Sequence, residues 1–299
     1  MVADAGFPRV GNFPDARRQH AADDMQMDDD TLPICVTCGV QYGDQAFDLQ
    51  TCRICADERQ YVNWDGQAWT TLRELKESGH RNALREEAPG LWGVDTEPEF
   101  AIGQRALIVP GPGGNVLWDC VPYIDDAALT AIDKLGGLDA IAISHPHYYG
   151  AMVAWSKAFG DIPIYIHEAD REWVCRTGNV IFWEGDSTEI LPGRTLVNCG
   201  VHFAGGTVLH WTGGAGGRGA LCSGDILQVV KDRRWVSFMH SYPNLIPERP
   251  DTIRRALTLV ASLPFDTIYG AWWGRTVAKD AKAALHRSAQ RYFSQIGSD

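Results

Sequence analysis

This 299-residue chain has no apolar run long enough to cross a bilayer. Its N-terminus lacks the basic stretch and apolar stretch of a secretory signal. A soluble cytoplasmic protein is therefore expected. Positive charge is scarce: 27 Lys and Arg stand against 38 Asp and Glu, for a net charge of −11. Non-specific attraction to nucleic acid or to an anionic membrane needs the opposite balance. No basic stripe compensates, so neither partner is expected. The glycine-rich stretch Gly213 to Gly219 lacks the Gly-Lys-Ser/Thr ending of a phosphate loop and reads as a hairpin turn. Ser223, before Gly224-Asp225, lacks the flanks of a nucleophile elbow.

Cysteine, by contrast, is plentiful and unevenly placed. Four of the eight form Cys35-x-x-Cys38 and Cys52-x-x-Cys55, with thirteen residues between the pairs. Each turn brings two thiolates to one metal, and a short hairpin can present all four tetrahedrally, as in a zinc ribbon. The alternative, redox dithiols, lacks its βαβ context. Cys120, Cys175, Cys199 and Cys222 stand singly in apolar surroundings and read as buried thiols. Residues 31–60 are thus expected to form a zinc-ribbon-like module holding structural zinc. So small a core needs metal to fold. Residues 1–30 are polar and end in Asp23, Asp24, Asp28, Asp29 and Asp30. They are expected to be a disordered acidic leader.

Residues 61–299 have the composition of one globular domain. Phe100 to Ile108 and Asn115 to Trp118, joined by Pro110-Gly111-Pro112-Gly113-Gly114, read as a hairpin. Asp125-Asp126 cap a helix ended by Gly136-Gly137. Further helices are expected from Met152 to Phe159, from Asp251, and from Val277 to Phe293. Strands are expected at Pro163 to Ile166, Thr207 to Trp211, Arg234 to Met239 and up to Tyr269. Such an order suggests helices packed on a two-sheet core.

The apolar run Ala140 to Ile143 reads as a buried strand, and Ser144-His145-Pro146-His147 follows it. Alternate residues of an extended segment point the same way, so two imidazoles can converge on one cation. Imidazole suits zinc or iron. His167 and His210 read as structural or core histidines, and His240 as a plain strand-end one.

Taken in order, Leu117-Trp118-Asp119, Ser144-His145-Pro146-His147, Val201-His202-Phe203-Ala204-Gly205 and Ser223-Gly224-Asp225 resemble the metallo-β-lactamase superfamily. The resemblance spans roughly residues 95–275 and implies an α/β fold, the four-layer αββα sandwich. It further implies that His145, His147 and His202 hold a metal. Asp225 would be a metal ligand or the catalytic carboxylate that positions water, and Asp119 would orient a ligand imidazole. Ser144 stands where the family often has a small hydroxyl residue. The family's second-metal Asp and His fall on Tyr149 and Gly150, and Tyr269-Gly270-Ala271-Trp272-Trp273-Gly274 replaces its last histidine. One zinc or iron ion is therefore expected at the three histidines. Tyr149 is expected to pack or hydrogen-bond rather than to ligate, and Trp272 and Trp273 to shape an apolar substrate pocket.

The resulting expectation is a metallo-hydrolase of a small ester, thioester or lactone, in which metal polarises the carbonyl and supplies hydroxide. The alternative is a non-catalytic metal-binding or sensing protein whose ribbon contacts a protein partner.

Overall fold

The computed structural model describes residues 29–43 and 49–297. The expected leader lies outside them except for Asp29 and Asp30, which open a 3-10 turn at Asp29–Thr31. Asp29 is buried, and its carboxylate pairs with Lys157 at 3.1 Å and with Arg176. Strand β1 (Ile34–Cys35) pairs antiparallel with β2 (Trp69–Thr70), and helix α1 (Leu72–Glu77) follows, with the Thr71 side chain capping the Glu74 amide.

Two sheets form the centre. The first runs, in spatial and chain order alike, β3 (Arg81–Ala88), β4 (Leu91–Glu97), β5 (Ala106–Val109), β6 (Val116–Trp118), β7 (Ala140–Ala142), β8 (Ile164–His167) and β9 (Val180–Trp183). The second comprises β10 (Ser187–Leu191), β11 (Arg194–Asn198), β12 (Thr207–Trp211) and β13 (Ala220–Gly224). Two short ribbons then intervene: β14 (Gln228–Val229) with β15 (Val236–Ser237), and β16 (Met239–Ser241) with β17 (Ile246–Pro247). Strands β18 (Thr267–Gly270) and β19 (Thr276–Val277) complete the second sheet.

Alternation along the strands assigns each face. Val116, Trp118, Ala140 and Ala142 turn inward and meet Leu209, Trp211, Ala220 and Cys222 of the second sheet in one buried cluster. Leu117 and Ile141 turn outward onto Ala128 and Ile132 of α2 (Asp126–Lys134) and Val153 and Trp155 of α3 (Met152–Ala158). Leu221 and Ile268 turn outward from the second sheet. They meet Ile253 and Val260 of α4 (Pro250–Ala261) and Leu285 of α5 (Ala281–Ile296). Helix, sheet, sheet, helix: this is the αββα sandwich. No helix among the described residues is long and apolar enough to cross a membrane.

Several expected elements shift. The Phe100 segment is loop until Ala106, while β3 and β4 form a long hairpin that charge-rich Arg81–Ala88 does not announce. The strand expected at Arg234 to Met239 is split, because Val236–Ser237 pairs with β14 and Met239–Ser241 with β17. Val277 belongs to a strand, and the last helix starts at Ala281.

The four paired cysteines are buried and come together. Sγ–Sγ distances are 3.7 Å for Cys35–Cys55 and 3.7 Å for Cys38–Cys52. Tetrahedral ligation at a Zn–S length of about 2.3 Å implies a sulfur–sulfur separation of about 3.8 Å, so the donor set fits zinc. Tyr42 donates its hydroxyl to Cys52 Sγ at 3.2 Å and Gln67 its amide to Cys35 Sγ at 3.3 Å, as thiolates require. Gln67 and β2 lie beyond the boundary expected at residue 60, yet they close this cluster. Its residues also share one apolar core with α2 and α3.

Candidate metal centre

The C-terminal edges of β7, β11 and β13 meet at one end of the sandwich. After β7 the chain tightens into a 3-10 turn, Pro146–Tyr148, entered with the fixed φ of Pro146. His145 and His147 flank that proline. The Thr207 amide donates to the Ser144 carbonyl at 2.9 Å and stitches the two sheets together here. His202 sits in the loop after β11 with a φ of 68°, and Asp119, after β6, has a φ of 62°. Two left-handed non-glycine residues at one spot are strain held by the surroundings. Gly224 is also left-handed, and a Cβ there would lie 2.8 Å from Ser144 Oγ. Only glycine lets β13 approach closely enough to present Asp225.

The three imidazoles are 1–3% exposed and Asp225 5%. His202 Nδ1 donates to the His240 carbonyl at 2.7 Å, which leaves the Nε2 lone pair free. That lone pair faces His147 Nδ1 at 3.1 Å, and His145 Nε2 lies 3.4 Å from Asp225 Oδ1. Ligands about 2.0–2.1 Å from a tetrahedral zinc stand about 3.3–3.4 Å apart, so these spacings fit one ion. His145 Nε2, His147 Nε2 and Asp225 Oδ1 are buried without a hydrogen-bond partner. Orphaned buried polar atoms are rare, and His145 Nε2 facing Asp225 Oδ1 is a donor set that suits a cation. Burial pushes His145 and His147 well below the usual imidazole range and His202 down to about 4, so all three are neutral donors. Burial, with Asp119 nearby, lifts Asp225 to about 7. A bound cation reverses that logic.

Asp119 acts one residue removed from the imidazole. Its Oδ1 accepts the Ser144 amide at 2.8 Å, and Ser144 Oγ lies 2.9 Å from His145 Nδ1. Tyr149 points away from the histidines, its hydroxyl donating to the Asp170 carbonyl at 3.3 Å. The residue in contact is its neighbour Tyr148, whose ring is 4.4 Å from that of His145. The buried Tyr148 hydroxyl lies beside the Asp225 carboxylate. Trp272 stands behind Tyr148 at 6.4 Å and lines a cleft of about 430 Å³ with Gln228, Val229, Val230, Lys231 and Arg275. Trp273 does not join it. Its ring lies against Gly93, between Arg85 and Arg105, and its Nε1 donates to Asp95 at 2.7 Å. That is a strut for the β3–β4 hairpin. His167 is satisfied by Gly185 and Asn198, and His210 by the Pro264 carbonyl. His240 buttresses His202 through its carbonyl rather than replacing a ligand.

Gly150 leaves no room for a side chain. Its φ is 48°, and a Cβ would lie 2.7 Å from both the carbonyl carbon and the oxygen of Val121. Its carbonyl accepts the Gln41 amide at 3.0 Å, so the cysteine module docks on this turn. Gly150→His is expected to lower stability by roughly 2 kcal/mol or more through clash and left-handed strain. A thermal melt reads the loss, and elemental analysis should find no added metal.

Residues 57–60, which leave the Cys52–Cys55 turn, were not singled out by sequence, yet they cover the histidines. Glu58 bonds His240 Nε2 at 2.8 Å, the Ser241 hydroxyl donates to the Arg59 carbonyl at 3.2 Å, and Asn244 donates to the carbonyls of Glu58 and Gln60 at 2.9 Å each. The Arg59 guanidinium lies 4.5 Å from the centre of the Phe203 ring, which itself is 5.0 Å from His147 and 5.0 Å from His202. The buried Glu248 carboxylate accepts the His202 amide at 2.8 Å and steadies its backbone.

No family model matches the chain. The uncharacterized protein YmaE of Bacillus subtilis (strain 168) is 47% identical over 268 residues, 89% of this chain and 97% of YmaE. Among solved structures, DIM-1 metallo-β-lactamase aligns with a TM-score of 0.53 at 12% identity, over 72% of this chain and 98% of that one. The metallo-β-lactamase FIM-1 from Pseudomonas aeruginosa, solved in its mono-zinc form, gives 0.52 at 14% identity, over 71% and 96%. At such identities the likeness shows the fold, which is that of the metallo-β-lactamases.

Proposed function

The chain belongs to one family with YmaE, and from that footing we propose that it is a metal-dependent hydrolase of a small ester, thioester or lactone. The carrying observation is the convergence of three buried imidazoles, with the Asp225 carboxylate 3.4 Å from His145 Nε2 and neither of those two atoms hydrogen-bonded. His145, His147 and His202 would hold one zinc or iron ion, and the four ribbon cysteines a structural zinc. When bound, the active-site ion supplies Lewis acidity and lowers the pKa of water at the site. The protein's own part is positional. Ser144 and the His240 carbonyl fix the ring orientations of His145 and His202. Asp225 Oδ1 would accept a proton from water, a role supported by the Tyr242 hydroxyl, which donates to the Asp225 carbonyl at 2.8 Å. Phe203 and Tyr148 exclude bulk solvent from the rings.

A metal-holding protein without turnover is the second reading. One observation favours it: the imidazoles are 1–3% exposed, beneath Phe203 and residues 57–60. The test is metal content together with a panel of small esters, thioesters and lactones. Purified protein is expected to hold about two ions per chain, and His147→Ala one. Three ions in the wild type would contradict the single-ion site. No hydrolysis by the two-ion protein across the panel would favour the second reading.

A further inference from the structure

The cysteine module does more than stand beside the three histidines: its exit segment places a cation over them in a chain of net charge −11. One aromatic ring, Phe203, separates the Arg59 guanidinium from His147 and His202. Arg53, on the same module, lies 5.5 Å from the centre of Trp173, whose ring is 5.7 Å from Phe203. The Arg59 side chain is 21% exposed, and so spans the depth between solvent and the histidines.

Its donors are divided. Nη1 bonds Asp57 Oδ1 at 2.7 Å, while Nε is buried without a partner. Among the described residues Nη2 has no hydrogen-bond partner either. Nε and Nη2 form the side edge of the guanidinium, which matches the two oxygens of a carboxylate. A fork half satisfied by the protein leaves that edge for a ligand. Asp57 bonds Nη1 and the buried Asp170 carboxylate also faces the charge, but neither is hydrogen-bonded to that edge.

We propose that Arg59 is a specificity-determining residue, which binds a carboxylate carried by the substrate away from its reacting carbonyl. This rests on the hydrolase reading of the three-histidine site and narrows its substrates to acyl compounds bearing a second, acidic group. Arg59 touches the substrate's anionic end and takes no part in bond cleavage.

The experiment is calorimetric binding to the full-length protein as purified, with metal content measured on the same sample. The probes are acetate and the α,ω-dicarboxylates from succinate to suberate. A dicarboxylate of fitting length is expected to bind at least ten times more tightly than acetate, since one end engages the histidine site and the other Arg59. Arg59→Gln should reduce that preference to about twofold or less, and Arg59→Lys should restore part of it. A purely structural Arg59 would lower the melting temperature in the glutamine variant and leave the preference intact, which would overturn the proposal. So would two ions per chain in a wild type that shows no preference, and the hydrolase reading would then stand. A preference that depends on Arg59 in a protein without metal at the histidines would uphold the arginine's role and remove the hydrolase reading.

Discussion

Cys38→Ser is expected to release metal from both centres, although it touches only one. The direct effect is loss of a sulfur ligand from a cluster whose stability is bound up with its metal. Structural zinc contributes on the order of 10 kcal/mol to small metal modules. Were the module an independent bead, as its spacing alone suggests, the damage would stop at residue 60. It is expected to go further, because the cysteines share an apolar core with α2 and α3 and residues 58–60 are bonded to His240, Ser241 and Asn244. His240 in turn supplies the carbonyl that orients His202. Losing such an outer partner of a metal ligand typically costs 10–100-fold in affinity. The variant is expected to bind active-site metal about that much more weakly, with a lowered melting temperature. Glu58→Ala should show the weaker effect alone, with the cysteine metal retained. Full retention of the histidine-site metal in Cys38→Ser would show that the two centres are uncoupled.

What could be read in the sequence was what short range determines. The four cysteines are legible because ligation needs two CxxC turns at a hairpin's spacing, and they do converge. His145 and His147 are legible from a strand end followed by alternate imidazoles. His202 and Asp225 emerge from motif order, and all four gather at one sheet edge. Arg59 and Glu58 were invisible because no local pattern marks a loop that acquires its role by docking on a segment some 180 residues away. The sequence does not distinguish Tyr148 from Tyr149, since which of two adjacent tyrosines faces a site depends on the turn between them. The β3–β4 hairpin hid behind Arg85, Glu86 and Glu87, residues at home in helices. Its Pro89-Gly90 turn was the available signal, and Gly90 does take a left-handed φ of 78°. Tertiary packing of Trp273 on Gly93 overrides local propensity there. Trp273 obeys the same packing: adjacency to Trp272 in sequence does not carry over to the cleft.

Asp225→Asn is where the hydrolase and the metal-holding readings part most widely. The carboxylate stands 3.4 Å from His145 Nε2, with Tyr148 at its other side and no hydrogen bond to Oδ1. Asparagine keeps its shape and its place after Gly224, so backbone geometry and the Tyr242 bond to the residue-225 carbonyl should persist. What is removed is the negative charge and the ability to accept a proton from water. Three imidazoles still offer one ion its nitrogen donors, and metal content is expected to remain near two per chain with weaker retention on dialysis. Turnover is expected to fall by about 10²-fold or more, the usual consequence of losing a general base. The fall should appear mainly in kcat, because the proton moves in the transition state and not on binding. Tyr148→Phe provides the comparison: it removes the nearby hydroxyl while leaving the carboxylate, and its effect should be the smaller of the two. Equal turnover by wild type and Asp225→Asn, at equal metal content, would remove Asp225 from the chemistry. The reaction would then rest on the three histidines and their ion alone.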